Sequence, residues 1–106
     1  MQRGEVRWYT FGAPDKRRPI VILTWDAVLA YLGEVTVDPV VTSTIRDIPS
    51  EVLLSTFDGI FRDCASNLDH IQTGSKGKIG ALITVLSNEK MYELRRALLF
   101  ALGFDD

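Results

Sequence analysis

The hydrophobic pattern predicts strands through most of the chain and a clear helix only near its C-terminus. Residues 5–11 (Glu-Val-Arg-Trp-Tyr-Thr-Phe) are aromatic and β-favouring, and alternation places Val6, Trp8 and Thr10 on one face. Gly12-Ala13-Pro14-Asp15-Lys16 is a turn cluster. The apolar run 19–24 predicts a strand buried on both faces, with Pro19 first, where a missing N–H costs least. Thr24 is placed to cap a short helix over 25–32 that buries Val28, Leu29 and Leu32 and ends at Gly33. Strands follow over 35–44 (broken near its start by Asp38-Pro39), 51–55, 64–73 and 79–86, with a loop or single helical turn over 57–63. Ser87 caps the last helix, where Met91, Leu94, Leu98 and Ala101 or Leu102 recur at three and four and Gly103 takes the stop position.

That order predicts a mainly β chain with α (α+β), a small SH3-like half-open barrel with the C-terminal helix plugging one side. A half-open barrel holds loops from different strands close together on one rim. There is no repeat or linker, so 1–106 reads as one domain. At this size one core forms, removing roughly 65% of the unfolded surface. Mean hydropathy is +0.08, which leaves either a well-filled core or apolar surface for a partner.

Composition removes several classes. The longest apolar stretch, 97–102, is far short of the ~20 residues a bilayer needs. Arg3, Glu5 and Arg7 stand where a signal peptide would be apolar. One cysteine, Cys64, makes no intrachain disulfide, and no Cys/His cluster suggests zinc, so a cytoplasmic setting and no metal or cofactor are expected. The net charge of −2 is unevenly spread: residues 1–18 hold five bases and two acids, the rest seven bases and twelve acids. A basic patch on an acidic body suits a focused anion site, or simply a solvated hairpin.

Three groups could carry chemistry. Lys16-Arg17-Arg18 stands at the start of the buried strand, where an arginine fork has a rigid base and suits a phosphate. Thr42, Ser43, Thr44 and Arg46 follow the end of another strand, where hydroxyls can orient an anion or water. Asn67, Asp69 and His70 form the third group, with His70 the only histidine. In a strand, adjacent Asp69 and His70 face opposite sides unless a bulge intervenes.

Taken in order, these pieces resemble the MazF/PemK (Kid) family of toxin endoribonucleases, whose barrel is shared with CcdB. The resemblance lies in Arg3-Gly4-Glu5-Val6, Arg18-Pro19-Ile20-Val21-Ile22, Pro39-Val40-Val41-Thr42-Ser43-Thr44 and Asn67-Leu68-Asp69-His70-Ile71-Gln72-Thr73. It implies Arg18, Thr42 and Asp69 as catalytic residues, with Lys16, Arg17, Ser43, Thr44, Arg46, Asn67 and His70 on the RNA. The loop after the first strand lacks the family's Gly-Ser-Glu element, and His70 stands where glutamine is usual. The match favours Asp69 over His70 for proton transfer, although an arginine nearby would suit Asp69 better to orienting.

The resemblance further implies metal-free cleavage of single-stranded mRNA by 2′-OH attack, a homodimer, and a MazE-like antitoxin whose tail covers the RNA groove. Two other outcomes stay open: a member that binds RNA or antitoxin with little or no cutting, and a CcdB-like gyrase poison. The ending Gly103-Phe104-Asp105-Asp106 lacks the Trp-Gly-Ile of the gyrase poisons.

Overall fold

A computed structural model describes residues 1–12, 16–41 and 45–104. Most of the turn after the first strand and the hydroxyls of Thr42, Ser43 and Thr44 lie outside the described residues. Seven strands form one sheet: β1 (Glu5–Thr10), β2 (Arg17–Ile22), β3 (Glu34–Val41), β4 (Glu51–Leu54), β5 (Cys64–Asn67), β6 (Gln72–Ser75) and β7 (Ile79–Val85). Their order is β4-β5-β3-β2-β1-β7, with β6 also on β3. The two helices are α1 (Asp26–Leu29) and α2 (Asn88–Leu102). No helix of the described residues is long and apolar enough to cross a membrane.

The curled sheet buries apolar side chains on both faces. Val6, Val21, Val40, Leu54, Cys64 and Leu68 form one cluster, which α2 covers with Leu94 and Ala97. Tyr9, Ile20, Ile22, Val35 and Val37 form the other, with Leu29 of α1. The terminal helix follows its pattern: the Ser87 hydroxyl accepts from the Lys90 amide at 3.1 Å, and Gly103 ends the helix at φ +78°. Ala101 packs on the core, while Leu102 is exposed.

Three local expectations change. Asp38-Pro39 does not interrupt β3. Leu23 donates to the Thr36 carbonyl, so even-numbered residues of β3 point their backbone groups at β2. Pro39 therefore turns its donorless nitrogen to the other edge, in the gap between β6 (opposite 34–37) and β5 (opposite 40–41). The predicted helix over 25–32 shrinks to one turn. The Thr24 hydroxyl accepts from the Thr36 amide at 2.7 Å instead of capping, and Val28 and Leu32 are exposed. In β1 the alternation holds against β2: Val6 and Trp8 share one face and Tyr9 takes the other, with Val6 and Tyr9 buried in the two clusters and Trp8 half-buried; the surplus residues of the register shifts against β7 lie on β7.

The predicted strand 64–73 is interrupted as well. Val40 faces Ser66, so an unbroken ladder would set Val37 opposite residue 69; it faces Gln72, a slip of three residues. The surplus forms a 3-10 turn over Leu68–His70. Leu68, fully buried, pulls the chain inward, and its amide bonds the Ser50 carbonyl at 2.8 Å rather than a β3 partner.

Candidate functional site

Alternation along β2 separates the two arginines. Arg17 pairs with Thr10 and Arg18 with Tyr9, so their side chains leave opposite faces. The Arg17 guanidinium lies 4.9 Å from the centroid of the Trp8 ring, which stacks on Phe61 at 5.8 Å. Its charge is thus occupied by an aromatic face. Arg18, exposed, lines a shallow cavity of about 170 Å³ with Phe11, Lys16, Pro39 and Gln72. It forms no ion pair with the described residues. The floor is stiff: Pro39 has fixed φ and sits opposite buried Ile20, Phe11 packs on Tyr9 at 4.5 Å, and the Phe11 amide bonds the Lys16 carbonyl at 2.8 Å. The result is a planar fork of donors, open to solvent on a rigid strand.

A second cluster surrounds Arg46. The Glu51 carboxylate, its side chain only 1% exposed, accepts from the Arg46 amide at 3.0 Å and the Asp47 amide at 2.8 Å. These bonds hold Asp47 at φ +54° and fold residues 45–49 back over β4. The Arg46 guanidinium then reaches Asn67 Oδ1 at 3.0 Å and Asp69 Oδ1 at 3.0 Å. Hydrogen bonding from Arg46 holds the Asp69 carboxyl below the usual carboxylate range, against a smaller opposing effect of burial. His70 Nε2 lies 3.5 Å from Asp69 Oδ2. The bulge has put these neighbours within reach of each other, where strand alternation would have separated them.

A third feature lies inside the core. Asp38 on β3 is fully buried, takes a hydrogen bond from the Ser66 hydroxyl, and leaves Oδ1 without a partner among the described residues. Burial pushes its carboxyl up to about 7; the Ser66 bond opposes this and the Asp69 charge adds to it. Cys64 is also a core side chain, its thiol pushed up to about 11 by burial.

The sequence candidates therefore divide. Lys16 and Arg18 line one cavity. Arg46, Asn67, Asp69 and His70 form one linked cluster, in which buried Asn67 contacts Arg46. Arg17 is on the other face of β2, and Thr42, Ser43 and Thr44 are outside the described residues. The two clusters flank the bulge: Pro39 and Gln72 border the Arg18 cavity, and His70 precedes Gln72 by two residues. Sequence reasoning does not single out Glu51, Asp38 or Gln72. Only the Glu51 position carries a signal, an acid opening a strand after a loop that contains Arg46.

Comparison with known proteins gives a consistent assignment. Residues 2–102 match the model of the PemK-like, MazF-like toxins of type II toxin–antitoxin systems. The chain is 33% identical over 104 residues to a probable endoribonuclease MazF2 of Mycobacterium tuberculosis, covering 97% of this chain and 99% of that one. It is 37% identical over 97 residues to a probable endoribonuclease MazF5 of the same organism, covering 91% and 87%. Among solved structures, a mycobacterial endoribonuclease in complex with its cognate antitoxin superposes with a TM-score of 0.86 at 25% identity, covering 100% of this chain and 98% of that one. The Mycobacterium tuberculosis toxin MazF-mt6 superposes at 0.85 with 28% identity, covering 96% and 99%. The chain belongs to the PemK-like, MazF-like family of type II toxin–antitoxin toxins.

Proposed function

We propose that this protein is the toxin of a type II toxin–antitoxin pair and a metal-independent endoribonuclease that cuts single-stranded mRNA at specific sequences, with the scissile phosphate seated at Arg18. The observation that carries the reading is the Arg18 fork, solvent-open and rigidly based beside Lys16 in a cavity floored by Pro39. A guanidinium so held can bond two phosphate oxygens and grip them harder as charge builds on phosphorus in the transition state. In this reading the 2′-oxygen attacks the adjacent phosphorus, the bond to the 5′-oxygen breaks, and the ends are a 2′,3′-cyclic phosphate and a 5′-hydroxyl. DNA, with no 2′-hydroxyl, is inert.

Thr42, which with Ser43 and Thr44 follows β3 in the sequence, is assigned to hydrogen-bonding the phosphate. Asn67 and Arg46 act by holding Asp69, since their polar atoms engage one another. The named relatives support endoribonuclease activity, and the solved complex of a neighbour with its antitoxin supports a MazE-like partner. A homodimer acting in the cytoplasm completes the proposal.

The test is to incubate purified protein with a long single-stranded RNA in EDTA and map the ends. Cleavage at a short recurrent motif, leaving 5′-hydroxyl ends, is expected. Intact RNA, or cutting that requires added metal, refutes the reading.

A further inference from the structure

We propose that His70, oriented by Asp69, is the proton-transfer group of the cleavage reaction. This rests on the endoribonuclease reading above and assigns a role within the same site.

Three observations carry it. The three-residue slip between β5 and β6 lifts Asp69 and His70 out of the ladder and lets their side chains meet, with Nε2 3.5 Å from Oδ2. The Asp69 carboxylate is already engaged: Arg46 bonds it at 3.0 Å, and buried Glu51 and Asn67 fix Arg46 in turn. A carboxylate clamped by a guanidinium is a poor acceptor for a substrate proton. The imidazole, by contrast, is 58% exposed, with the Asp69 side chain at 31%, and lies two residues before Gln72 in the Arg18 cavity. Histidine is also the residue type that changes charge between about pH 5 and 8.

Nε2 is the ring nitrogen on the Asp69 side, which leaves Nδ1 as the nitrogen assigned to the substrate. Nδ1 takes the 2′-hydroxyl proton as the 2′-oxygen bonds to phosphorus and the bond from phosphorus to the 5′-oxygen breaks. The departing 5′-oxygen takes a proton from water, and the imidazolium returns its own to the hydroxide left behind. Asp69 stabilises the imidazolium without itself changing protonation and is a positioning residue. Other charged groups on elements packed against the turn include Asp38 on β3, Glu51 on β4, and Glu93 and Arg96 on α2; among the described residues only Asp69 lies within ion-pair distance of the ring.

The experiment is the single-turnover pH–rate profile of RNA cleavage for the full chain, His70→Gln and Asp69→Asn, with melting temperatures as a folding check. Wild type is expected to show a rising limb between about pH 5 and 8. His70→Gln is expected to lose that limb and about a hundredfold in rate at pH 7, with unchanged melting. Asp69→Asn is expected to keep the limb and to lose rate, because the ring is no longer oriented. A His70→Gln profile that keeps the wild-type limb overturns the proposal, as does loss of the limb in Asp69→Asn alone. Wild-type cleavage with such a result spares the endoribonuclease reading; RNA left intact by wild type removes both.

Discussion

Ser66 on β5 donates its hydroxyl to Asp38 on β3, and both side chains are wholly enclosed by the core. An acid placed there is most comfortable protonated, and burial holds its carboxyl up to about 7, against an ordinary 3.8. Between those two values the folded chain binds more protons at this site than the unfolded chain does. Stability from Asp38 is therefore complete below about pH 4 and falls away as pH rises to about 7. Asp38→Asn removes the titration while keeping the shape. Its melting temperature relative to wild type should rise by several degrees between pH 5.5 and pH 8.5, since ~1 kcal/mol is worth roughly 4–8 °C in a domain of this size. Thermal melts of both proteins at the two pH values check this; a constant difference contradicts it.

Arg18 and Arg17 are neighbours in sequence and opposites in position. Arg18→Ala should lower single-turnover cleavage by roughly 10²–10³. Arg18→Lys should fall nearly as far, because an ammonium is a point charge and not a fork. Arg17→Ala should leave the chemical rate alone and lower stability by ~0.5–1 kcal/mol through its lost contact with Trp8. Rate and melting measurements on the three variants decide it. Equal mild rate losses would mean that the pair acts only by charge.

Glu51 supports the loop that carries Arg46. Glu51→Ala strands two backbone amides and removes one carboxylate partner of the guanidinium, and should cost about 1–3 kcal/mol in denaturant unfolding. It should also depress cleavage although no atom of Glu51 belongs to the Arg18 cavity. Asp69 loses its clamp in that variant, so its carboxyl should move back toward the ordinary range, which NMR titration of the side-chain carbons reads directly.

Gly59 stands at φ +91°, and a Cβ there would run into the Thr84 side chain, whose hydroxyl donates to the Asp58 carbonyl at 3.0 Å. Gly59→Ala should therefore cost more than the ~1–2 kcal/mol of a left-handed backbone alone. Adding Thr84→Ala should recover part of the loss; a strictly additive double mutant in urea unfolding argues against the clash.

The elements that could be read from sequence are those whose signal is local. The last helix has a cap, a stripe and a stop in its own residues, and it forms as they specify. The two-sided burial of β2 was visible in its unbroken apolar run. What could not be read depends on partners far along the chain. Asp38-Pro39 resembles a break until one knows that β3 changes neighbours on that edge at that point. Leu68 looks like one more strand residue until the Ser50 carbonyl takes its amide. For the site, Arg18 before proline was legible by type and place. The engagement of Asp69 by Arg46 was not, because it spans 23 residues and depends on Glu51 folding the intervening loop.

The turn at Leu68–His70 is anchored by a buried leucine at its first position and by the Arg46 contact of Asp69 at its second. Positions 69 and 70 carry no cross-strand pair, so neither contributes to the register of the strands on either side. A change of chemical group there leaves the ladder as it was. The barrel thus keeps a reactive corner at which residue 70 is free of the ladder, and a histidine enters that position without any compensating change in the sheet.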